Sequence, residues 1–258
     1  MNNHSLKAAL AFLLLSFSAT AHATQMINAG PSLSVIQGDR ARFSAQFFDR
    51  DGNSGVSIRA EHAGSGQVIG EISRNDSTGD LEWSCDTSTL TPGANLVRLI
   101  ATDPAGASAT VPFTLQVKAA SSAQHWRQTH FGSSQATGAA LDSADPDRDG
   151  LSNLAEFAFG LNPTQTGSDA GTRAESPPDH PESMRAVFRR RKDHLTAGLE
   201  YIVEFSSNLG DWTPSSEIPA FVADEGDVER VSLQFPILPN GQPGRFFRVR
   251  VEQQDSGQ

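Results

Sequence analysis

Apolar and polar side chains alternate in short runs over residues 26 to 117, and turn residues separate the runs. In the run from Ala41 to Phe47, the apolar side chains fall on one face and Arg42, with the other polar residues, falls on the opposite face. A period of two residues is typical of a β-strand with one buried side. About seven such strands in so short a segment predict a β-sandwich. The pattern recurs at Val56/Ile58/Ala60, Leu81/Trp83/Cys85, Val97/Leu99/Ala101 and Val111/Phe113/Leu115/Val117.

The same segment carries Gly38-Asp39 before its second strand, Trp83 near its middle, Pro92-Gly93-Ala94-Asn95, and a closing run from Ala101 to Gly106. With these residues it resembles the immunoglobulin-like or cadherin-like modules of bacterial exported proteins, over a little more than a third of the chain. Cys85 is the only cysteine, so it has no partner for the disulfide of antibody-type domains. The alternation places Cys85 on the buried face, which predicts a structural thiol rather than a reactive one.

The first 23 residues have the pattern of a secretory signal peptide. A short polar start with Lys7 precedes an apolar run from Ala8 to Phe17, and Ala21-His22-Ala23 provides small residues for cleavage. The alternative is an N-terminal membrane anchor, but the apolar run is too short to span a bilayer. We therefore expect a secreted protein, whether extracellular, periplasmic or at the cell surface, with no transmembrane segment in the mature chain.

Between residues 120 and 168 the period lengthens to that of a helix. One helix is predicted from Gln124 to Phe131, ended by Gly132, and a second from Leu151 to Phe159, ended by Gly160. Residues 169–182 are rich in Gly, Ser, Asp and Pro and predict a linker. Alternation then returns, which predicts a small antiparallel β module. It occurs at Met184/Ala186/Phe188, Tyr201/Val203/Phe205, Glu229/Val231/Leu233/Phe235 and Phe247/Val249/Val251.

The predicted fold is therefore mainly β, with two antiparallel β-sandwich modules joined by a short helical segment. The predicted divisions are a signal peptide at 1–23, an immunoglobulin-like or cadherin-like sandwich at 24–119, a helix-loop-helix connector at 120–168, a linker at 169–182, and a small C-terminal β module at 183–254.

The connector contains a twelve-residue stretch, 145–156, with oxygen-bearing residues at the spacing of the EF-hand calcium loop. Alternate residues of a tight loop direct their oxygens to one point, a glycine permits the turn, and a glutamate closes the shell from the following helix. Because all of these ligands are hard oxygens, Ca²⁺ is the predicted cofactor. The alternative is an acidic turn that only caps a helix. The predicted ligands are Asp145, Asp147, Asp149, the backbone carbonyl of Leu151, Asn153 and Glu156, with Gly150 at the turn.

A second copy of the Asp-Arg-Asp-Gly tetrapeptide lies at 49–52. In the same register, Phe47 would stand at the first position and Ile58 at the last, and neither can supply a carboxylate. This copy therefore predicts a plain hairpin turn.

Wider context adds a second resemblance. Trp126-Arg127, residues 144–157 and Gly160-Leu161-Asn162-Pro163 look like the calcium-binding segment of exported proteins from Verrucomicrobia- and Planctomycetes-type bacteria. Such segments are similar to dockerin and thrombospondin type 3 repeats. In that family a small β module follows, and residues 188–190, 201–212 and 245–249 resemble it. A dockerin carries the loop twice, whereas this chain has one complete copy.

Charge and missing motifs narrow the function. With 20 Lys and Arg against 30 Asp and Glu, the net charge of −10 argues against nucleic-acid binding. No nucleophile elbow, phosphate-binding loop, dinucleotide fingerprint or His-Glu-x-x-His zinc helix occurs in the sequence. We therefore predict a secreted, non-enzymatic, calcium-binding modular protein that acts in adhesion, surface assembly or polymer binding, with a cell-surface polymer or protein as partner.

Two other functions remain open at the level of sequence. The aromatic residues Trp212 and Phe246 could stack on sugars, as in an accessory carbohydrate-binding protein of an exported polysaccharide-degrading system. A hydrolase or lyase with dispersed carboxylates would need a pocket that holds two acids other than the calcium ligands.

Overall fold

The computed structural model describes residues 25–27, 33–167, 171–176 and 183–254. The signal peptide predicted for 1–23 lies outside these residues. The chain forms two compact units, Met1–Ala120 and Ser121–Gln258. In the described ranges, no helix combines the length and the hydropathy needed to cross a bilayer.

The N-terminal unit is a sandwich of two four-stranded sheets, ordered β1-β3-β6-β5 and β2-β8-β7-β4. With its first strand divided between the two sheets, this is the strand order of the immunoglobulin fold. The prediction of a mainly β chain that begins with an immunoglobulin-like sandwich is thereby confirmed. The strands are β1 (Gln25–Ile27), β2 (Leu33–Ile36), β3 (Arg40–Phe48), β4 (Ser57–His62), β5 (Glu71–Asn75), β6 (Asp80–Asp86), β7 (Gly93–Thr102) and β8 (Ser108–Lys118).

The core of this unit is centred on Trp83, whose side chain is completely buried. Its ring lies 5.4 Å, centroid to centroid, from the rings of Phe43 and Phe113. The indole N–H donates a 3.0 Å hydrogen bond to the carbonyl of Ile69, so the polar atom of the ring is also satisfied. Cys85, two residues along the same strand, is buried as predicted, and burial raises the pKa of its thiol.

One strand pairing differs from the prediction of antiparallel modules. β2 pairs in parallel with β8, with Leu33 opposite Leu115 and Ile36 opposite Lys118. Parallel neighbours need a long crossover connection. Here the strands between β2 and β8 form this connection. Alternation within a single run predicts a strand but not the direction of its neighbour.

The tetrapeptide at 49–52 forms a turn, but the prediction that it closes a hairpin is wrong. It connects β3 to β4, and these strands lie in different sheets. The local chemistry is that of an Asp-centred turn, since an Asp49 side-chain oxygen accepts from the Asp51 amide at 2.9 Å. The sequence indicated the turn correctly, whereas the strands that the turn connects are determined by the sandwich topology.

The C-terminal unit begins with α1 (Ser122–Phe131) and α2 (Asn153–Phe159), separated by a 3-10 turn at Gly138–Ala140. Both helices end, as predicted, at a left-handed glycine, Gly132 or Gly160. Its sheets are ordered β13-β14-β10-β9 and β12-β11-β15. The strands are β9 (Arg173–Glu175), β10 (Arg185–Arg191), β11 (Leu199–Ser206), β12 (Thr213–Pro214), β13 (Ala220–Glu225), β14 (Val228–Gln234) and β15 (Phe246–Gln253).

The helical segment shares its cores with these strands, rather than standing apart as a connector. Phe159 packs with Phe188 and Val203 of the sheets. Trp126 and Phe157 pack with Leu199 at the start of β11. An apolar helix face must be covered to be stable, and the C-terminal strands provide that cover.

Part of the predicted linker at 169–182 is also ordered into this unit. Residues Arg173–Glu175 form β9, which pairs antiparallel with β10 so that Glu175 lies opposite Arg185. The polar composition of the linker gave no sign of this strand, because a short edge strand needs no apolar pattern.

Candidate metal centre

The loop at 145–156 is folded by its own aspartates. The two carboxylate oxygens of Asp145 accept hydrogen bonds from the backbone amides of Arg148 at 2.8 Å and Gly150 at 3.0 Å. Asp149 accepts from the amide of Leu151 at 2.9 Å. Gly150 has a φ of 94° with open space around its α-carbon, so backbone conformation rather than crowding favours glycine there.

This folding brings three predicted ligands together. Carboxylate oxygens of Asp145, Asp147 and Asp149 lie within 4.8 Å of one another. Within the described ranges, no other group of three acidic, histidine or cysteine side chains comes this close. Like charges at such separations repel, so the arrangement favours a bound cation.

Glu156 lies in the first turn of α2 and is completely buried. It is outside the group of three, but the charges of Asp147, Asp149 and Asp145 still act on it. Burial, and then these charges, raise the pKa of Glu156 to about 7. Neither of its carboxylate oxygens has a hydrogen-bond partner.

Unpartnered buried oxygens are concentrated at this loop. Buried polar atoms in proteins are nearly always hydrogen-bonded, and an exception calls for a ligand or an ion. Over the described residues, four buried side-chain oxygens lack a partner, and all four belong to predicted ligands. They are Asp147 Oδ2, Asn153 Oδ1, Glu156 Oε1 and Glu156 Oε2, and the remaining two unpartnered atoms are the nitrogens Trp126 Nε1 and Arg127 Nε.

The last predicted ligand is the backbone of Leu151. Leu151 directly follows the turn at Gly150, and its side chain packs against the core of the C-terminal unit. The loop is thus tied to the sheets at its exit as well as through α2.

One pair of residues that supports the loop was not predicted. Arg127 of α1 is buried and bonds Asp142, just before the loop, at 2.6 Å. The two residues are distant in sequence, and neither belongs to the calcium-loop pattern. Their pairing depends on the packing of α1, which no local signal reports.

Residues of β10 and β11 hold the helix that carries Glu156. The Arg191 guanidinium lies 4.4 Å from the ring centroid of Phe157, at cation–π distance. Tyr201 donates its hydroxyl hydrogen to the Ala158 carbonyl at 2.6 Å and accepts from the Arg191 amide at 3.0 Å. Tyr201 therefore bridges α2 and β10.

We expect Y201F to lower the free energy of unfolding by about 1–3 kcal/mol, because it leaves a buried amide and a buried carbonyl without their shared partner. Urea denaturation followed by circular dichroism measures the change. Burial raises the pKa of Tyr201 well above its usual value, and it is the only tyrosine in the chain. In an alkaline absorbance titration of the wild type, Tyr201 should therefore ionise only at a pH well above the usual tyrosine value of about 10. A wild type that ionises near pH 10 would contradict the bridge.

The aromatic pair predicted as a sugar platform is partly occupied by protein. The Arg248 guanidinium lies 4.4 Å from the ring centroid of Trp212. The indole N–H donates to the Leu209 carbonyl at 3.1 Å. At most one face of the Trp212 ring is left for a sugar.

Comparison with known proteins yields structural likenesses only. No protein-family model and no curated protein matches the sequence. A chimeric titin Z1Z2 carrying a decorin peptide is 22% identical, with a TM-score of 0.30, covering 38% of this chain and 95% of that one. Titin domain M3 is 19% identical, with a TM-score of 0.31, covering 38% and 99%. The Ig1-2 module of Drosophila receptor tyrosine phosphatase DLAR is 14% identical, with a TM-score of 0.31, covering 38% and 50%.

Proposed function

We propose that the protein is a secreted, non-enzymatic, calcium-binding modular protein whose loop at 145–156 holds the ion. The observation that carries this proposal is the state of Glu156: it is completely buried, both its carboxylate oxygens lack partners, and the negative charges of three aspartates act on it. A proton would remove its charge but would not supply a partner for both oxygens. A divalent cation would satisfy the glutamate and neutralise the aspartates together.

The donor set favours calcium over other metals. All predicted ligands are carboxylate, amide or carbonyl oxygens, which calcium prefers, and no histidine or cysteine is among them. Magnesium demands a smaller and stricter octahedral shell. At an extracellular affinity of about 10⁻⁴ M and millimolar calcium, binding would add roughly 1–2 kcal/mol of stability.

The proposed role of the ion is structural. Glu156 is followed by Phe157, Ala158 and Phe159, all of them buried in the cores of the C-terminal unit. An ion bound to Glu156 would therefore stabilise the helix that joins those cores. The stabilised unit would serve in adhesion, surface assembly or polymer binding.

Isothermal calorimetry with CaCl₂ tests this function. Wild type is expected to bind in a single class of sites, and D149N at least about tenfold more weakly, because one ligand charge is lost. Asn can still accept the bond from the Leu151 amide, so folding should be preserved. The matched control is D51N, which changes the same position of the other Asp-Arg-Asp-Gly copy. Equal affinities for wild type and D149N, or a loss in D51N as large as that in D149N, would refute the assignment.

A further inference from the structure

Asn153 holds the two sides of the calcium loop together. Its side chain is 99% buried, being only 1% exposed. The amide nitrogen donates 2.7 Å hydrogen bonds to two carbonyls, those of Ala139 and Leu141. Because both partners are acceptors, the nitrogen must face them and Oδ1 must face away.

Backbone contacts close the loop at the same level. The backbone N–H of Asn153 donates to the Ala144 carbonyl at 2.8 Å, and the backbone N–H of Leu154 donates to the Asp142 carbonyl at 3.0 Å. Asp142 is in turn bonded to the buried Arg127. The chain that enters the loop and the helix that leaves it are thus joined immediately beside Asn153.

We propose that Asn153 is a positioning residue for the metal: its side-chain nitrogen fixes the 3-10 turn against α2, so that the aspartates and Glu156 face one ion. This inference rests on the proposed calcium function. It differs from the role of the ninth position in the EF-hand pattern, which supplies an oxygen to the ion directly or through water.

The two roles predict opposite effects of an acidic substitution. If only the oxygen of Asn153 matters, N153D adds ligand charge, and the calcium affinity should stay the same or rise. If the nitrogen matters, N153D loses both donors and places a charged oxygen against two carbonyl oxygens. The loop should then open at its base, and the calcium affinity should fall.

Calorimetry with CaCl₂ on the full-length protein separates these roles. We expect N153D to bind at least about tenfold more weakly than wild type and no better than N153A. The control is N240D, which makes the same change at an exposed turn of the same unit and should bind like wild type. An N153D affinity equal to or higher than that of wild type would overturn the proposal.

Terbium luminescence tests positioning rather than general stability. Lifetimes of protein-bound Tb³⁺ in H₂O and D₂O count the waters on the ion. N153D should show at least one more bound water than wild type and N240D, because misplaced ligands leave coordination positions to solvent. An unchanged water count in N153D would assign Asn153 a purely structural role and reject the inference.

A third measurement keeps the inference testable if N153D does not fold. In wild-type protein with EDTA, the Asn153 side-chain NH₂ protons should exchange slowly with D₂O, identified in ¹⁵N spectra by their loss in N153A. Fast exchange, as for exposed asparagines, would overturn the inference. If exchange is slow but the wild type binds no calcium, the proposed calcium function fails. Asn153 would then stabilise the fold without positioning a metal, whereas fast exchange would reject the positioning role alone.

Discussion

At pH 8 in EDTA, E156Q is expected to be more stable than wild type by about 1–3 kcal/mol. Without an ion, wild type must bury the Glu156 carboxylate, unpartnered, among the charges of three aspartates. Glutamine has the same shape without the charge. Urea denaturation of both proteins measures the difference, and E217Q, an exposed change in the same unit, should have no effect.

Calcium should reverse this order. Wild type should gain stability in millimolar calcium, whereas E156Q, which lacks the closing ligand, should gain little. The order of the two proteins in urea would then differ between EDTA and calcium. An E156Q variant that is less stable than wild type in EDTA, or that gains as much from calcium, would contradict the assigned role of Glu156.

The pH dependence in EDTA follows from the same residue. The pKa of Glu156 rises from a usual value of 4.5 to about 7 in the folded protein, so the folded state holds the proton more tightly than the unfolded chain. The contribution of Glu156 is then most favourable below pH 4.5 and is lost as the pH rises towards 7. E156Q lacks this loss, so the stabilities of the two proteins should converge below about pH 4.5, where Glu156 is protonated in both the folded and the unfolded state.

W83A is expected to lower the free energy of unfolding by about 3–5 kcal/mol, the usual cost of truncating a large buried aromatic side chain. The substitution removes ring contacts with Phe43 and Phe113 and leaves the Ile69 carbonyl without its donor. Thermal and urea unfolding of the full chain measure the loss.

The control for W83A is F48A. Phe48 lies on the neighbouring β3 but is 54% exposed, so its truncation should change stability by about 0.5 kcal/mol or less. Equal losses for the two variants would contradict the placement of Trp83 at the centre of the core.

The sequence predicted correctly those features that depend on neighbouring residues. Alternation around Trp83 placed a buried strand, and Gly132 and Gly160 marked the ends of both helices. The loop spacing likewise brought Asp145, Asp147 and Asp149 together, because short side chains in a tight turn fold onto nearby amides. These outcomes depend on contacts within a few residues.

Pairing between residues distant in sequence was not predicted. The parallel pairing of β2 with β8 and the ion pair between Arg127 and Asp142, just before the loop, both join residues that no local period relates. The packing of α2 into the C-terminal cores was also missed, because an apolar helix face does not identify its partner. The donor role of Asn153 was not predicted, because the calcium-loop pattern assigns a ligand oxygen to that position.

The pairing of β2 with β8 also sets how the N-terminal unit would carry tension. Because β2 and β8 are parallel neighbours, a pull between Leu33 and Lys118 acts along the two strands in opposite directions. Their ladder bonds, and the 2.8 Å bond from the Gln37 amide to the Lys118 carbonyl, would then be loaded together in shear rather than opened one at a time. A unit pulled between these two residues would therefore resist extension.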